Sequence, residues 1–233
     1  MWIRIFSSLF ILVIVSGVVY WLLVTTEGVF LGRRMVVWLY DITAHKYDGI
    51  KEFDPEWEQF FIAHPILHKL RHIPAPLILD VATGTGRVPL TLLDEPRFHG
   101  RVVGIDASRK MLALAAQKLR PYRHRAALIQ QLADRLPFPG SSFDAAVCLE
   151  SLEFFSSETA ALSEMARVLK PGGLLMVTRR RGWEGKAFLS RYRNVAEFEA
   201  MLTGMGLEGV NTQPWQEAYD QVFGWKKEEV DSE

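Results

Sequence analysis

Short apolar runs alternate with helical patterns through most of the chain. The runs that predict buried strands are residues 76–81, 101–105, 126–130, 145–149 and 174–178. The periodic segments that predict helices are residues 87–93, 108–119, 158–169 and 195–203. This alternation predicts an α/β fold with a doubly wound, Rossmann-like and mostly parallel sheet. Two further strand patterns, 207–211 and 216–223, predict an antiparallel edge at the C-terminal end.

The amino terminus differs, because residues 5–26 contain no charged side chain. Such a run is long enough to cross a bilayer as one transmembrane helix. A cleavable signal peptide is the alternative, but its apolar region is shorter and ends in a small-residue cleavage site that this chain lacks. Trp2, Tyr20 and Trp21 also suit the two membrane interfaces. We therefore predict an uncleaved membrane anchor over residues 1–27.

Positive charge is unequal on the two sides of this predicted span. Arg4 precedes it, whereas Arg33, Arg34, Lys46 and Lys51 follow it. The side richer in Lys and Arg normally faces the cytoplasm. The sequence therefore predicts a single-pass membrane protein whose folded domain lies in the cytoplasm.

Composition narrows the class of protein. The formal net charge is zero, so the chain lacks the basic field that nucleic-acid binding needs. It has no internal repeat, and its 233 residues less the anchor suffice for one domain with a real core, which we place at residues 73–233. The one cysteine, Cys148, lies in an apolar run and is predicted to be a buried structural thiol.

Residues 28–72 connect the anchor to that domain and are predicted to form a helical juxtamembrane segment that covers the domain's binding site. Within them, residues 29–40 mix apolar side chains with two arginines at spacings that fit a helix along the membrane surface. His64, His68 and His72 recur at every fourth position and would stack on one helical face. No Glu completes a hydrolytic metal motif, so we predict a solvated helix face and no metal site.

The motif that carries chemistry follows the first predicted strand, where residues 79–87 read Leu-Asp-Val-Ala-Thr-Gly-Thr-Gly-Arg. Its two glycines allow a tight turn and the close approach of a nucleotide-type ligand. A dinucleotide fits poorly, because Pro89 stands where the fingerprint needs Gly or Ala. Asp80 would repel a pyrophosphate but attract a cofactor with an amino group and a sulfonium cation. S-adenosylmethionine is such a cofactor.

Asp106 ends the second predicted strand, where a carboxylate can accept hydrogen bonds from both ribose hydroxyls of an adenosine cofactor. On these features the chain resembles the class I S-adenosylmethionine-dependent methyltransferases, and most closely the group of ubiquinone and menaquinone biosynthesis enzymes. The resemblance spans residues 38–224. Four motifs carry it in the right order, at residues 79–87, 104–108 with 111–112, 136–139 with 142–144, and 167–173.

The resemblance implies a binding site for S-adenosylmethionine. It places Asp80, Gly84 and Gly86 at the methionine end of the cofactor, Asp106 at the ribose and Met111 beside the adenine. The full set of predicted cofactor-binding residues is Asp80, Ala82, Gly84, Thr85, Gly86, Asp106, Ala107, Met111, Ala133, Asp134 and Leu149.

The resemblance also implies that residues 38–48 cover the cofactor. Tyr40 and Tyr47 either close the pocket or only pack this segment onto the core. Three consecutive arginines, residues 179–181, follow a predicted strand end and either hold a phosphate or lipid headgroup or form a solvated charged loop.

Two positions depart from the family pattern. Leu132 stands where the family has an Asp for the adenine edge, so Asp134 and the Ala133 N–H are expected to serve instead. Many relatives carry a His near residue 154 that could act as a base, and this chain has none there. Glu150 and Glu153 are therefore the only catalytic candidates, and both are weak. A hydrogen bond to the cofactor, or a favourable negative charge at the start of a helix, would account for either residue equally well.

These observations predict methyl transfer from S-adenosylmethionine to a small, lipid-soluble acceptor, such as a quinone precursor or a lipid, at the membrane. The alternatives are a methyltransferase with a soluble or protein acceptor, and a catalytically silent cofactor-binding scaffold. Holding the methyl donor and the acceptor in good alignment can lower the activation barrier by roughly 7–11 kcal/mol. An acceptor that ionises readily therefore needs no strong base. The acceptor atom and the oligomeric state stay open.

Overall fold

A computed structural model describes residues 2–51 and 53–228. The outermost residues of the predicted domains, Met1 and 229–233, and Glu52 of the connecting segment lie outside the described residues. The strands are β1 Leu77–Val81, β2 Arg101–Asp106, β3 Ala126–Gln130, β4 Phe143–Cys148, β5 Leu169–Arg180, β6 Leu207–Pro214 and β7 Tyr219–Lys226. The α-helices are α1 Trp2–Tyr20, α2 Arg33–Lys51, α3 Pro55–Glu58, α4 His64–Lys69, α5 Arg87–Asp94, α6 Arg109–Lys118, α7 Glu158–Val168, α8 Gly182–Ala187 and α9 Val195–Gly204.

The seven strands form one sheet in the order β3-β2-β1-β4-β5-β7-β6. Strands β1 to β5 pair in parallel, and β7 is antiparallel to both β5 and β6. The predicted doubly wound α/β fold is therefore confirmed. The reversed strand is β7, which lies inside the sheet, so β6 forms the edge.

The core lies on both faces of this sheet, because alternate side chains of a strand point to opposite faces. In β1, Leu79 and Val81 pack with α7 and α9 on one face. Ile78 packs with α4, α5 and α6 on the other. Every residue of β4 is buried, as expected for a central parallel strand.

Some element bounds differ from the sequence prediction. The predicted strand 174–178 is the centre of a longer β5, which begins directly after α7 and bends at Gly172, where φ is +70°. The predicted helix 29–40 begins only at Arg33, because Gly28 and Gly32 have φ values of +74° and +96° and break it. It then continues to Lys51, so one helix includes the predicted covering segment.

Helices α3 and α4 fall within the segment predicted to be helical, whereas α8 was not recognised in the sequence. Helices α3 and α4 are joined by a π-helical turn, Gln59–Ala63, and α8 follows β5. His64 begins α4, and its Nε2 lies 3.4 Å from a carboxylate oxygen of Glu95, whereas His72 lies beyond the end of that helix. The three imidazoles therefore do not share one helical face. Among the described residues, no group of three or more His, Cys, Asp or Glu side chains could hold a metal ion.

Candidate cofactor and acceptor site

The loop between β1 and α5 makes an unusually tight turn. Ala82, Gly84 and Gly86 all have positive φ values, of +59°, +55° and +87°. The turn is closed by a 2.9 Å hydrogen bond from the Gly86 N–H to the Thr83 carbonyl. Because left-handed backbone costs a non-glycine residue free energy, the two glycines relieve most of the strain in this turn.

The two glycines of this loop have different neighbours. A Cβ on Gly84 would meet nothing within 4 Å, so the space beside it is open to a ligand. A Cβ on Gly86 would lie 3.2 Å from the Ala115 Cβ of α6. Gly84 therefore leaves room for the cavity described below, whereas Gly86 lets α5 and α6 approach each other.

We expect Gly86→Ala to lower the free energy of unfolding by about 2–3 kcal/mol, since it adds crowding against Ala115 to the backbone strain. Gly84→Ala adds only the strain, about 1 kcal/mol, and its main effect is weaker cofactor binding. Chemical denaturation of the full chain in detergent, followed by tryptophan fluorescence, compares the two. Equal losses of stability in the two variants would contradict the different roles assigned to Gly84 and Gly86.

The Asp106 carboxylate lies where the loops after β1 and β2 meet. Its Oδ1 accepts a 2.7 Å hydrogen bond from the Ser108 N–H, and its Oδ2 accepts one of 2.8 Å from the Gly84 N–H. Burial raises the pKa of Asp106, while these backbone hydrogen bonds act in the opposite direction. Asp106 thus ties the two cofactor-side loops together as well as facing the cavity.

Asp80 is only 2% exposed, and its Oδ2 has no hydrogen-bond partner. Burial raises the pKa of Asp80 from 3.8 to about 7. A buried carboxylate oxygen without a hydrogen-bond partner is costly, and a cationic amine is a group that would relieve it. The orphaned oxygen, together with the open space at Gly84, fits the amino-acid end of S-adenosylmethionine.

A cavity lies over the carboxyl ends of β1, β2 and β4. Six predicted cofactor-binding residues line it, namely Ala82, Gly84, Asp106, Ala107, Ala133 and Asp134. The other five are not among the residues that line it, namely Asp80, Thr85, Gly86, Met111 and Leu149. Met111 and Leu149 are core residues, with 1% and 8% of their surface exposed.

Leu132 and Asp134 occupy the part of the wall where the family pattern is altered. Leu132 lines the cavity as an apolar side chain. Asp134 also lines it, and its Oδ2 lies 3.6 Å from the Arg33 guanidinium. The carboxylate expected at the adenine edge is therefore shared with the first residue of α2.

Helix α2 covers the cavity. Tyr40 and Tyr47 both line it, so they close the pocket as well as packing α2 against the domain. Tyr40 also donates a 2.7 Å hydrogen bond to Glu27 and packs edge-on against Phe154. Burial raises the pKa of both tyrosines, which keeps them neutral.

Two aspartates of α2 fasten this cover to the cofactor-side loops. Asp41 accepts a 2.5 Å hydrogen bond from the Ser108 hydroxyl, and Asp48 accepts one of 2.6 Å from the Thr85 hydroxyl. Lys118 of α6 forms an ion pair with Asp48 at 2.5 Å. Sequence reasoning missed these contacts. The signal was the repeated Tyr-Asp pair at 40–41 and 47–48, since a spacing of seven puts both pairs on one helix face.

Glu150 follows β4 and lines the cavity. Its Oε2 lies 2.7 Å from the Lys51 Nζ, and its Oε1 lies 2.6 Å from an Arg87 nitrogen. Its pKa is lowered, because the two cations outweigh the opposing effect of burial. The backbone at Glu150 has φ +51°, and its N–H donates to the Thr178 hydroxyl at 2.6 Å. A carboxylate held ionised by two cations is a poor proton acceptor but a rigid part of the wall.

Glu153, the other weak catalytic candidate, does not line this cavity. Its Oε1 accepts hydrogen bonds from the Tyr219 hydroxyl at 2.5 Å and from Arg180 at 3.2 Å. Burial raises its pKa. These contacts make Glu153 a structural link between the segment after β4, strand β5 and strand β7.

The three consecutive arginines are neither a solvated loop nor a free anion site. Arg179 and Arg180 belong to β5, and Arg181 follows it. Arg179 forms an ion pair with Asp220 at 2.5 Å, and Arg181 reaches the same carboxylate at 3.2 Å. Both sequence interpretations are corrected, because each arginine has a carboxylate of the domain within ion-pair distance.

Comparison with known proteins agrees with this geometry. The family model of a methyltransferase domain matches residues 78–173. The ubiquinone/menaquinone biosynthesis C-methyltransferase UbiE of Syntrophotalea carbinolica is 36% identical over 145 residues, which cover 60% of this chain and 58% of that protein. The demethylmenaquinone methyltransferase of Symbiobacterium thermophilum is 35% identical over 144 residues, which cover 58% of this chain and 55% of that protein. The chain thus spans less than two thirds of these relatives' length.

Solved structures share the fold at low sequence identity. The CurJ carbon methyltransferase has a TM-score of 0.62 and 17% identity, with 72% of this chain and 54% of that chain covered. The [4+2]-cyclase SpnF has a TM-score of 0.59 and 20% identity, with 71% and 80% covered. The fold alone therefore accommodates more than one reaction.

The matched domain contains β1, the glycine loop and the Asp106 loop in the order that the sequence motifs predict. Its unpartnered Asp80 and the open space at Gly84 fit the cofactor of the matching family. The chain therefore contains a methyltransferase domain, matched over residues 78–173, and its site fits S-adenosylmethionine as the cofactor.

Proposed function

We propose that this protein methylates a small apolar acceptor, of the quinone-precursor or lipid class, that reaches the site from the membrane. The observation that carries the proposal is the composition of the cavity wall opposite the predicted cofactor residues. That wall contains Val36, Val37, Phe154 and Phe155. Such a surface favours an apolar acceptor over a charged one.

The apolar wall continues to the end of the N-terminal helix. Val36 and Phe154 belong to a cluster of buried side chains that includes Val29 and Phe188. Val29 follows the apolar span Arg4–Thr25. The most apolar part of this span has a mean hydropathy of 2.4, and none of its residues is buried in the structure. An acceptor dissolved in the bilayer would therefore meet the cavity close to where the chain leaves the membrane.

In this proposal, residues 1–27 are an uncleaved single-pass anchor and residues 28–72 are the covering segment. Residues 73–233 are a cytoplasmic methyltransferase domain. A signal sequence would also contain one apolar helix near the N-terminus. The stacking of Trp21 on Phe30, with ring centroids 5.0 Å apart, supports an anchor that is retained, because it joins the end of the apolar helix to a residue that packs on the domain. The excess of Lys and Arg after the span supports the cytoplasmic orientation.

The relatives support the acceptor class. Their names place them in ubiquinone, menaquinone and demethylmenaquinone methylation. When bound, S-adenosylmethionine supplies an electrophilic methyl group. The residues of this chain hold the cofactor, cover it with Tyr40 and Tyr47, and exclude water. Since Glu150 is engaged with Lys51 and Arg87, the acceptor must lose its proton readily, as phenols and enols do.

The test is methyl transfer by the full-length protein in lipid nanodiscs. The protein is incubated with methyl-labelled S-adenosylmethionine in two separate reactions. One contains a membrane lipid extract and the other a soluble extract. We expect label in the organic-extractable fraction, and strongly reduced transfer by Asp106→Ala when the cofactor concentration is well below that needed to saturate the variant. Label confined to water-soluble products or to protein would contradict the apolar acceptor. Cofactor binding without any transfer would indicate a silent scaffold.

A further inference from the structure

Large apolar side chains are exposed on only one part of the domain. After the N-terminal span, nine such side chains are strongly exposed among the described residues, and all belong to residues 31–60 or 183–195. Residues 61–182, which contain β1 to β5 and helices α4 to α7, contribute none. Exposed apolar side chains collected in this way mark an interaction surface.

Members of both groups lie on segments that contact the end of the apolar helix. The first includes Ile50 and Trp57, which line a second cavity together with Glu27. Glu27 follows the span Arg4–Thr25 by two residues. Ile50 and Trp57 are 67% and 60% exposed, so this side of the helix end carries apolar side chains that the domain does not cover.

The segment that carries the second group also contacts the residues that follow the apolar helix. Phe188 is buried against Val29 and Val36, and the Arg191 guanidinium lies 5.7 Å from the centre of the Phe30 ring. Arg191 also donates a 2.5 Å hydrogen bond to the Phe155 carbonyl. On the same short segment, Trp183 and Leu189 are 74% and 61% exposed.

The exposed charges beside the second group and at the start of α2 include basic side chains that suit an anionic lipid surface, whereas those beside Trp57 are acidic, at Asp54 and Glu56. Arg33 keeps 48% of its side-chain surface exposed, although Asp134 lies 3.6 Å from its guanidinium. Arg34 and Lys186 are both exposed. Exposed Trp and Leu with basic neighbours are the composition of segments that lie at the headgroup boundary of a bilayer.

We infer that this protein has a second membrane contact besides its N-terminal helix, formed by the exposed apolar side chains of residues 31–60 and 183–195 resting on an anionic lipid surface. The inference rests on the anchor of the proposed function. The carboxyl ends of the strands, where the cavity lies, then face the bilayer, and the acceptor enters without crossing water. Trp183 and Leu189 are the side chains that best report this contact.

The chain allows a direct measurement. Cys148 is fully buried and burial raises its thiol pKa, so it resists labelling. Single cysteines are introduced by Trp183→Cys, Leu189→Cys, Leu12→Cys and Arg123→Cys in the full chain. Each is labelled with an environment-sensitive fluorophore and reconstituted in nanodiscs of phosphatidylcholine and phosphatidylglycerol. Arg123 is exposed and precedes β3, at the opposite end of the sheet from the cavity.

Labels at positions 183 and 189 should be blue-shifted, and nitroxide-bearing lipids should quench them at least twice as strongly as the label at position 123. Equal quenching at 183, 189 and 123 would overturn the second contact. The label at position 12 separates the two proposals. Quenching at 12 without quenching at 183 and 189 leaves the anchor intact and removes only this inference, whereas no quenching at 12 removes the anchor itself.

Discussion

Asp80→Asn should make the ligand-free domain more stable and its cofactor binding weaker. The wild-type carboxylate is buried with one oxygen unpartnered, so the folded state bears the cost of its charge at neutral pH. Asparagine has the same shape and no charge. We expect it to raise the free energy of unfolding at pH 8 by about 2–4 kcal/mol. The same change removes the charge that attracts the cofactor's amine.

The pH dependence has a definite direction. Burial raises the pKa of Asp80 from 3.8 to about 7, so between these values the folded protein binds more protons than the unfolded chain. The stability that this group contributes is therefore greatest at low pH, falls as the pH rises from about 4 to about 7, and stays low above pH 7. Cofactor affinity should change in the opposite direction, because binding an amine needs the ionised carboxylate.

Thermal or denaturant unfolding of the full chain in detergent at several pH values measures the first effect, and calorimetry with S-adenosylmethionine measures the second. Asp144→Asn is the matched control. Asp144 is also buried in the sheet, but it accepts 2.7 Å hydrogen bonds from the Leu77 N–H and the Lys170 Nζ. Its substitution should destabilise the domain. If Asp80→Asn also destabilises it at pH 8, Asp80 is not the unpartnered charge described above.

Asp106→Ala should weaken S-adenosylmethionine binding by about 1.5–3 kcal/mol, which is roughly 10- to 150-fold. The substitution removes the expected acceptor for the ribose hydroxyls. It also leaves the N–H groups of Gly84 and Ser108 without their partner, so the two cofactor-side loops loosen. Calorimetric titration of the variant in detergent gives the affinity directly.

Asp41→Ala separates these two contributions. Asp41 belongs to α2, bonds the Ser108 hydroxyl, and does not line the cavity. It therefore perturbs the same loop without touching the expected ribose position. We expect an affinity loss clearly smaller than that of Asp106→Ala. Equal losses in the two variants would mean that Asp106 acts only by holding the loop.

The fold was predictable because its signals are local. An apolar run of strand length followed by two glycines and a helical pattern predicts one strand-turn-helix unit, and repetition of such units predicts the sheet. Strand β3 has the predicted bounds, Ala126–Gln130. The position of β7 inside the sheet was not predictable in this way, because the pairing of β5 with β7 joins residues that lie far apart in the chain.

Six of the predicted cofactor-binding residues line the cavity for the same local reason, since they follow the ends of adjacent parallel strands. Helix α2 is different. Its sequence predicts a helix along a surface, but only the tertiary structure shows Asp41 and Asp48 bound to Ser108 and Thr85. An amphipathic pattern predicts which face of a helix is buried, but it does not specify the element against which that face packs.

The sequence by itself determined the class of fold, the apolar span, the cofactor and the acids at the ends of β1 and β2. Only the tertiary structure decided which acids are free. Glu150 is held by Lys51, 99 residues away, and Glu153 by Tyr219, 66 residues away, whereas Asp80 has an oxygen with no partner. The charge state of a carboxylate depends on its burial and on its neighbours in space, and residues distant in the sequence supply both.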